Sequence, residues 1–154
     1  MRSAWLAPPI FLLHVLEEAP GFVAWFNRHV DVDLTFEGFV ALNATGFLVT
    51  AALAALAATS PGRGPALGLL AWLGFLMLAN GLLHIGATLY FGEYAPGAVT
   101  AALLYLPYFA WLFHALGTRL RIGPGTRAAA ALAGAVPMLA QGYAVLVEGR
   151  RLLW

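Results

Sequence analysis

Residues 5–26 read WLAPPIFLLHVLEEAPGFVAWF, and this stretch decides the fold. It is long and apolar enough to cross a bilayer, for which about 20 mostly apolar residues suffice. Yet it carries His14, Glu17 and Glu18 in its middle. A carboxylate near the bilayer centre costs about 2.5–3.5 kcal/mol on insertion scales, so two cost about 5–7 kcal/mol. Leu6, Ile10, Phe11, Leu12, Leu13, Val15, Leu16, Phe22, Val23 and Phe26 offset this at about 0.3–0.6 kcal/mol each. The two sums nearly cancel. Such a helix needs its carboxylates paired, protonated or metal-bound, and it is predicted to face a bundle rather than lipid. At about 100° per residue, Glu17 and Glu18 flank His14 one turn further along. A His and a Glu at i, i+3 or i, i+4 can chelate one ion or share one proton. A second reading lets Pro20 end the helix, which would put both carboxylates at a membrane interface.

Met1-Arg2-Ser3 ahead of this run has the look of a secretory signal. However, Pro8, Pro9 and the three ionisable residues interrupt the apolar core, and no small-x-small cleavage site follows it. The run is therefore read as a mature helix. The rest of the chain agrees with a membrane solvent: 62% of the 154 residues are hydrophobic, 10% are charged, and the mean hydropathy is +0.82. Soluble domains carry roughly 25% charged residues, and a chain this short could not hide so much apolar surface from water. The expected fold is all-α, one domain over 1–154, with five transmembrane helices at about 5–26, 35–58, 66–91, 97–116 and 127–146. Thr35 is the expected N-cap of the second. Ser60-Pro61-Gly62, Pro96-Gly97 and Gly123-Pro124-Gly125 supply the turns.

Loop arginines set the expected orientation. Arg2, Arg63, Arg119, Arg121 and Arg127 fall on the side of the N-terminus. Arg28, Arg150 and Arg151 fall opposite, with Asp31, Asp33, Glu37, Glu93 and Glu148. Five arginines against three favour the N-terminus in. A net charge of +1 gives no electrostatic footprint for nucleic acid. The absence of cysteine excludes disulfides, thiolate metal sites and cysteine nucleophiles.

Further polar residues fall at similar depth. Asn80 and His84 lie at i, i+4 on one face of the third span, Asn43 lies in the second, and Tyr105 and Tyr108 lie in the fourth. Together with the first span they suggest a single site near mid-membrane. His14, Glu17, Glu18 and His84 are the candidate metal ligands, for zinc, iron or manganese. Asn80 and Asn43 are candidates to orient them. Without a metal, Glu17, Glu18 and His14 could instead divide acid and base roles. Taken singly, Asn43, Gln141 and His114 read more simply as helix bridges, at about 0.6 kcal/mol each. His29 reads as a solvated loop residue.

The string His14-Val15-Leu16-Glu17-Glu18 resembles the signature of the HXXEE-motif membrane proteins, a bacterial family named for it. The resemblance extends to Asn80-x-x-x-His84 and to Tyr94-Ala95-Pro96-Gly97 before the fourth span. It implies a membrane fold and points to these residues, but supplies no reaction.

Three functions compete. One is a membrane enzyme acting on a lipid-like apolar substrate through a bound metal or paired acid and base. Another is proton-coupled or metal-ion transport, since intramembrane Glu and His are common relay groups. So short a chain would then have to form a homo-oligomer, and Gly74, Gly81 and Gly86 suit close helix contacts within or between chains. The third is an accessory protein without chemistry of its own. The bilayer is the expected partner in each, and the bacterial cytoplasmic membrane the expected location.

Overall fold

Among residues 2–30, 33–60 and 62–146, which the computed structural model describes, six helices follow one another. They are α1 (Arg2–Glu18), α2 (Phe22–His29), α3 (Phe36–Thr59), α4 (Arg63–Phe91), α5 (Ala98–Arg119) and α6 (Pro124–Leu146). Asp31, Glu148, Arg150 and Arg151 of the orientation argument, and Pro61 of the second turn, lie outside the described residues. Four helices, α3 to α6, are each long and apolar enough to cross a membrane, and the pair α1–α2 makes a fifth span if counted as one. Leu16, Leu42, Leu48, Leu89 and Leu103 point outward from them. In water such faces would drive aggregation; in lipid they are the solvated surface. The chain is a multi-pass membrane protein.

The first span, expected over 5–26, is broken at Pro20-Gly21, as in the reading that lets Pro20 end the helix. It opens with a tight turn over Arg2–Leu6, and Pro8 and Pro9 fall in the first α-helical turn, where a missing N–H does no harm. Helix α1 then stops at Glu18, because Pro20 cannot donate to the carbonyl four residues back and its ring clashes there. The chain bends by 67° into α2. Helix α3 runs back alongside, with Phe39 against Phe22 and Phe47 against Phe11. Thr35 caps α3 as expected, its hydroxyl accepting from the Gly38 N–H at 3.0 Å.

Two helices widen into π turns, α4 over Gly74–Ala79 and α5 over Ala101–Tyr105. The second precedes Pro107, whose ring would otherwise meet the carbonyl one turn back. The first ends at Asn80. A single wide turn rotates every later side chain around the helix axis, and such turns recur at functional sites.

These bends and turns move the polar cluster. Glu18 ends α1, His84 lies two turns before the end of α4, and Thr100 lies in the first turn of α5. The cluster therefore gathers toward one end of the bundle, nearer to the reading in which Pro20 ends the helix than to a site at mid-span. The connection between α4 and α5 folds back over it. Gly92 ends α4 in the left-handed region, and Ala95, Pro96 and Gly97 are buried although they belong to no helix. Thr88 fixes this connection, its hydroxyl donating to the His84 carbonyl and accepting from the Ala95 N–H.

Candidate metal centre

Helices α1 and α4 present three buried ligand-type side chains to one another. His84 Nε2 lies 3.0 Å from Glu18 Oε1, and His14 Nε2 lies 3.5 Å from the same oxygen. One ligand atom from each of His14, Glu18 and His84 falls within 4.8 Å of the others. All three residues are nearly sealed, at 1%, 5% and 6% exposure. Tetrahedral zinc with bonds of about 2.0–2.2 Å sets its ligands about 3.3 Å apart. The two separations from Glu18 Oε1, 3.0 and 3.5 Å, bracket that edge. Two imidazoles and one carboxylate also form the facial set that holds iron or manganese.

The groups around the triad fix its orientation. The Asn80 amide reaches His14 Nε2 at 3.3 Å, and His14 Nδ1 lies 2.8 Å from the Thr100 hydroxyl. With Nε2 accepting, the ring proton sits on Nδ1 and is donated to Thr100, whose own proton goes to the Gly97 carbonyl. The basic nitrogen of His14 thus lies beside Glu18 and His84 while its other nitrogen is anchored; its one lone pair, held here by Asn80, would pass from that amide to an ion. Tyr105 stacks on the His14 ring at 4.1 Å, and the two imidazoles meet edge to face at 4.9 Å. Phe22 of α2 covers His84. Gly97, at φ +100°, presses its backbone on both imidazoles: a Cβ there would stand 2.8 Å from His14 Cε1 and 2.9 Å from His84 Cε1. Only glycine accepts that backbone angle and that space.

Glu17 and Asn43 depart from the expected set. Glu17 was expected beside Glu18 as a ligand. Instead it turns to α5, where Oε1 accepts from Gly97 N at 3.2 Å and Val99 N at 3.0 Å, and Oε2 accepts from Thr100 N at 2.7 Å. The Tyr94 hydroxyl donates to it as well. The physical reason is the free N–H groups at the start of α5, which attract a carboxylate more strongly than a shared site with Glu18 would. Asn43 donates to the Phe39 carbonyl of its own helix at 3.0 Å and makes no hydrogen bond to the triad among the described residues. Tyr108 also leaves the site, its hydroxyl donating to the Ser3 carbonyl.

His114 is exposed, and Gln141 is buried with its Oε1 unpartnered. His29 is no loop residue: it ends α2, half-buried between Trp25 and Phe91, and pairs with Glu93 at 3.3 Å. The Arg28 guanidinium joins the same carboxylate at 3.2 Å. Thr100 is the site residue that sequence reasoning missed, since one lone Thr at the head of an apolar span gives no signal. Gly97 was singled out for a turn and within the Tyr94–Gly97 string of the family likeness, without a role at the site.

The expected sequence likeness holds. A family model described as "Protein of unknown function with HXXEE motif" matches residues 5–112, and the chain belongs to that family. The match takes in α1 to α4 and most of α5, hence every residue of the triad and its supports. No curated protein and no solved structure matches the chain.

Proposed function

We propose that this HXXEE-family protein holds one divalent transition-metal ion on His14, Glu18 and His84 and uses it to act on a lipid-like apolar substrate. The observation that carries the reading is the convergence of those three ligand atoms within 4.8 Å in a sealed, oriented site. Three protein ligands leave a coordination position open for water or substrate, the arrangement of catalytic rather than structural metal sites. The Tyr105 hydroxyl supports an occupant nearby: its ring stacks on His14, and the hydroxyl is buried without a hydrogen-bond partner among the described residues. An unmade hydrogen bond of this kind costs about 1–3 kcal/mol. A metal would supply Lewis acidity and an activated water. The chain's own parts would hold the imidazoles, present the Glu18 carboxylate and exclude bulk water.

An apolar substrate suits the setting, since the site is walled by Phe22, Tyr105 and lipid-facing helices. Access would come through movement of α2, which is joined to α1 only by the short bend. The loop arginines support an N-terminus on the cytoplasmic side of the bacterial inner membrane. A second reading, metal-ion or proton handling, is favoured by one observation: the triad is sealed, with no member more than 6% exposed, whereas two apolar grooves, of about 330 and 390 Å³, run along α4 and α6. Such a carrier would work as a homo-oligomer.

Elemental analysis of tag-free protein purified without chelator tests the metal. Near-stoichiometric zinc, iron or manganese is expected in the wild type and is lost in His14→Ala. A metal-free wild type that stays metal-free after incubation with each ion overturns the reading. Lipid extraction and mass spectrometry of the same preparation would separate the two functions: a bound lipid lost in Glu18→Gln supports the enzyme.

A further inference from the structure

The two neighbouring glutamates of the motif do different work. We propose that Glu17 is a positioning residue: it caps the first turn of α5 from α1 and thereby sets the imidazole of His14 for its ion. The inference rests on the metal reading above and assigns Glu17 no place among the ligands.

The geometry forms one continuous chain of contacts. Both Glu17 oxygens are consumed by the backbone N–H groups of Gly97, Val99 and Thr100. Those groups belong to the opening turn of α5, whose first N–H groups have no partner within the helix. The N-cap position of α5 is Gly97, which has no side chain to satisfy them. A carboxylate from another helix does so, and its charge faces the positive end of the helix dipole. Thr100 is held at its N–H by Glu17, and its hydroxyl holds His14 Nδ1 at 2.8 Å. Gly97, held at its N–H by Glu17, seats its backbone against both imidazoles. Helix α1 thus grips α5 twice, through Glu17 at the backbone and through His14 at the Thr100 side chain. Moving either grip moves the other.

Glu17→Gln removes the charge and turns an N–H₂ group toward N–H donors, while leaving His14, Glu18 and His84 in place. Cobalt(II) is the probe, because its visible absorption reports the ligand set. For a partner that orients a ligand, affinity is expected to fall about 10–100-fold. The saturated cobalt spectrum should stay that of the wild type, whereas Glu18→Gln changes it. Amide exchange over residues 97–100 should quicken by about tenfold in Glu17→Gln and not in Glu18→Gln. A Glu17→Gln spectrum altered in the manner of Glu18→Gln would make Glu17 a ligand and overturn the proposal. Unchanged affinity beside faster exchange would also overturn it, leaving a structural anchor only. If the wild type binds no cobalt, the metal reading falls by itself. The positioning then stands or falls on exchange over 97–100 and on the nitrogen-15 shifts of His14, both of which must change in Glu17→Gln.

Discussion

Two regions hold this bundle together by opposite means. At the end that carries the triad, α1, α4 and α5 meet through named polar atoms: Glu18 between two imidazoles, Asn80 and Thr100 on His14, Glu17 on the head of α5. Along part of the seam between α4 and α6, at Gly74 and Gly134, backbone meets backbone with no side chain between them. A Cβ on Gly74 would run into the Ala131 carbonyl, and one on Gly134 into the Ala71 carbonyl and the Phe75 N–H. Lipid offers no hydrophobic force to join helices, so close backbone approach through small residues is one of the two ways to join them, and polar contact is the other. The protein uses each where the other would fail. A site that must hold atoms to a fraction of an ångström needs directional bonds, whereas a seam without chemistry needs only fit. The HXXEE family match stops at residue 112, so it includes the polar end and leaves α6 beyond it.

The sharpest way to break the comparison is to fill the seam. Gly134→Leu places a branched side chain where backbone already stands, and backbone cannot swing aside as a side chain can. Overpacking costs about 1–3 kcal/mol when neighbours can yield, so here about 3 kcal/mol or more is expected. Thermal unfolding in detergent should show a large drop in midpoint. Metal content per folded molecule should not change, because the α4 residues that position 134 meets, Ala71 and Phe75, lie more than two turns before His84. A variant that keeps its midpoint but loses its metal would show that seam and site are one unit.

Filling the polar end should do the reverse. Gly97→Ala must hold a left-handed backbone angle, at about 1–2 kcal/mol for a side-chain-bearing residue. It also sets a methyl group against His14 and His84. Stability should fall less than for Gly134→Leu, while metal affinity falls more. Isothermal titration with zinc beside the same unfolding assay checks both halves. If zinc affinity survives in Gly97→Ala, the buried connection is a lid without influence on the ligands.

The same contrast explains what the sequence makes legible. Spans could be read because every residue of a lipid-facing helix contributes to hydropathy, and their ends because Thr35 and Pro20-Gly21 act locally. His14, Glu18, Asn80 and His84 could be read because each is costly in lipid and their spacing aligns them on helix faces. Which of Glu17 and Glu18 meets His84 could not. They are neighbours of identical chemistry, and the choice depends on where the head of α5 arrives, about 80 residues later. That arrival is set by Gly97 and two wide helical turns, neither of which leaves a periodic trace. Glycines in the third span announced a close contact, but not that α6 would make it. Of the two readings of Pro20, the one that ends the helix there matches the break after Glu18 and the bend of 67° that follows.

The smallest expected effect sharpens the polar side of the comparison, by asking how much its outermost bond contributes. The Tyr94 hydroxyl donates to Glu17 from the connection between α4 and α5, yet Tyr94 is 52% exposed. Desolvation of the hydroxyl, then the bond to the Glu17 carboxylate and its charge, push its pKa up to about 12 from an ordinary 10.0. A group whose pKa is raised on folding favours the folded state while it is protonated. Its contribution is therefore whole below about pH 10 and is lost as pH climbs toward about 12. Water screens so exposed a group, so Tyr94→Phe should cost only about 1 kcal/mol or less at neutral pH. Unfolding midpoints of the two proteins should draw together between about pH 10 and 12. Should they stay parallel across that window, Tyr94 contributes through packing alone, and Glu17 grips α5 by its backbone bonds without help from the connection.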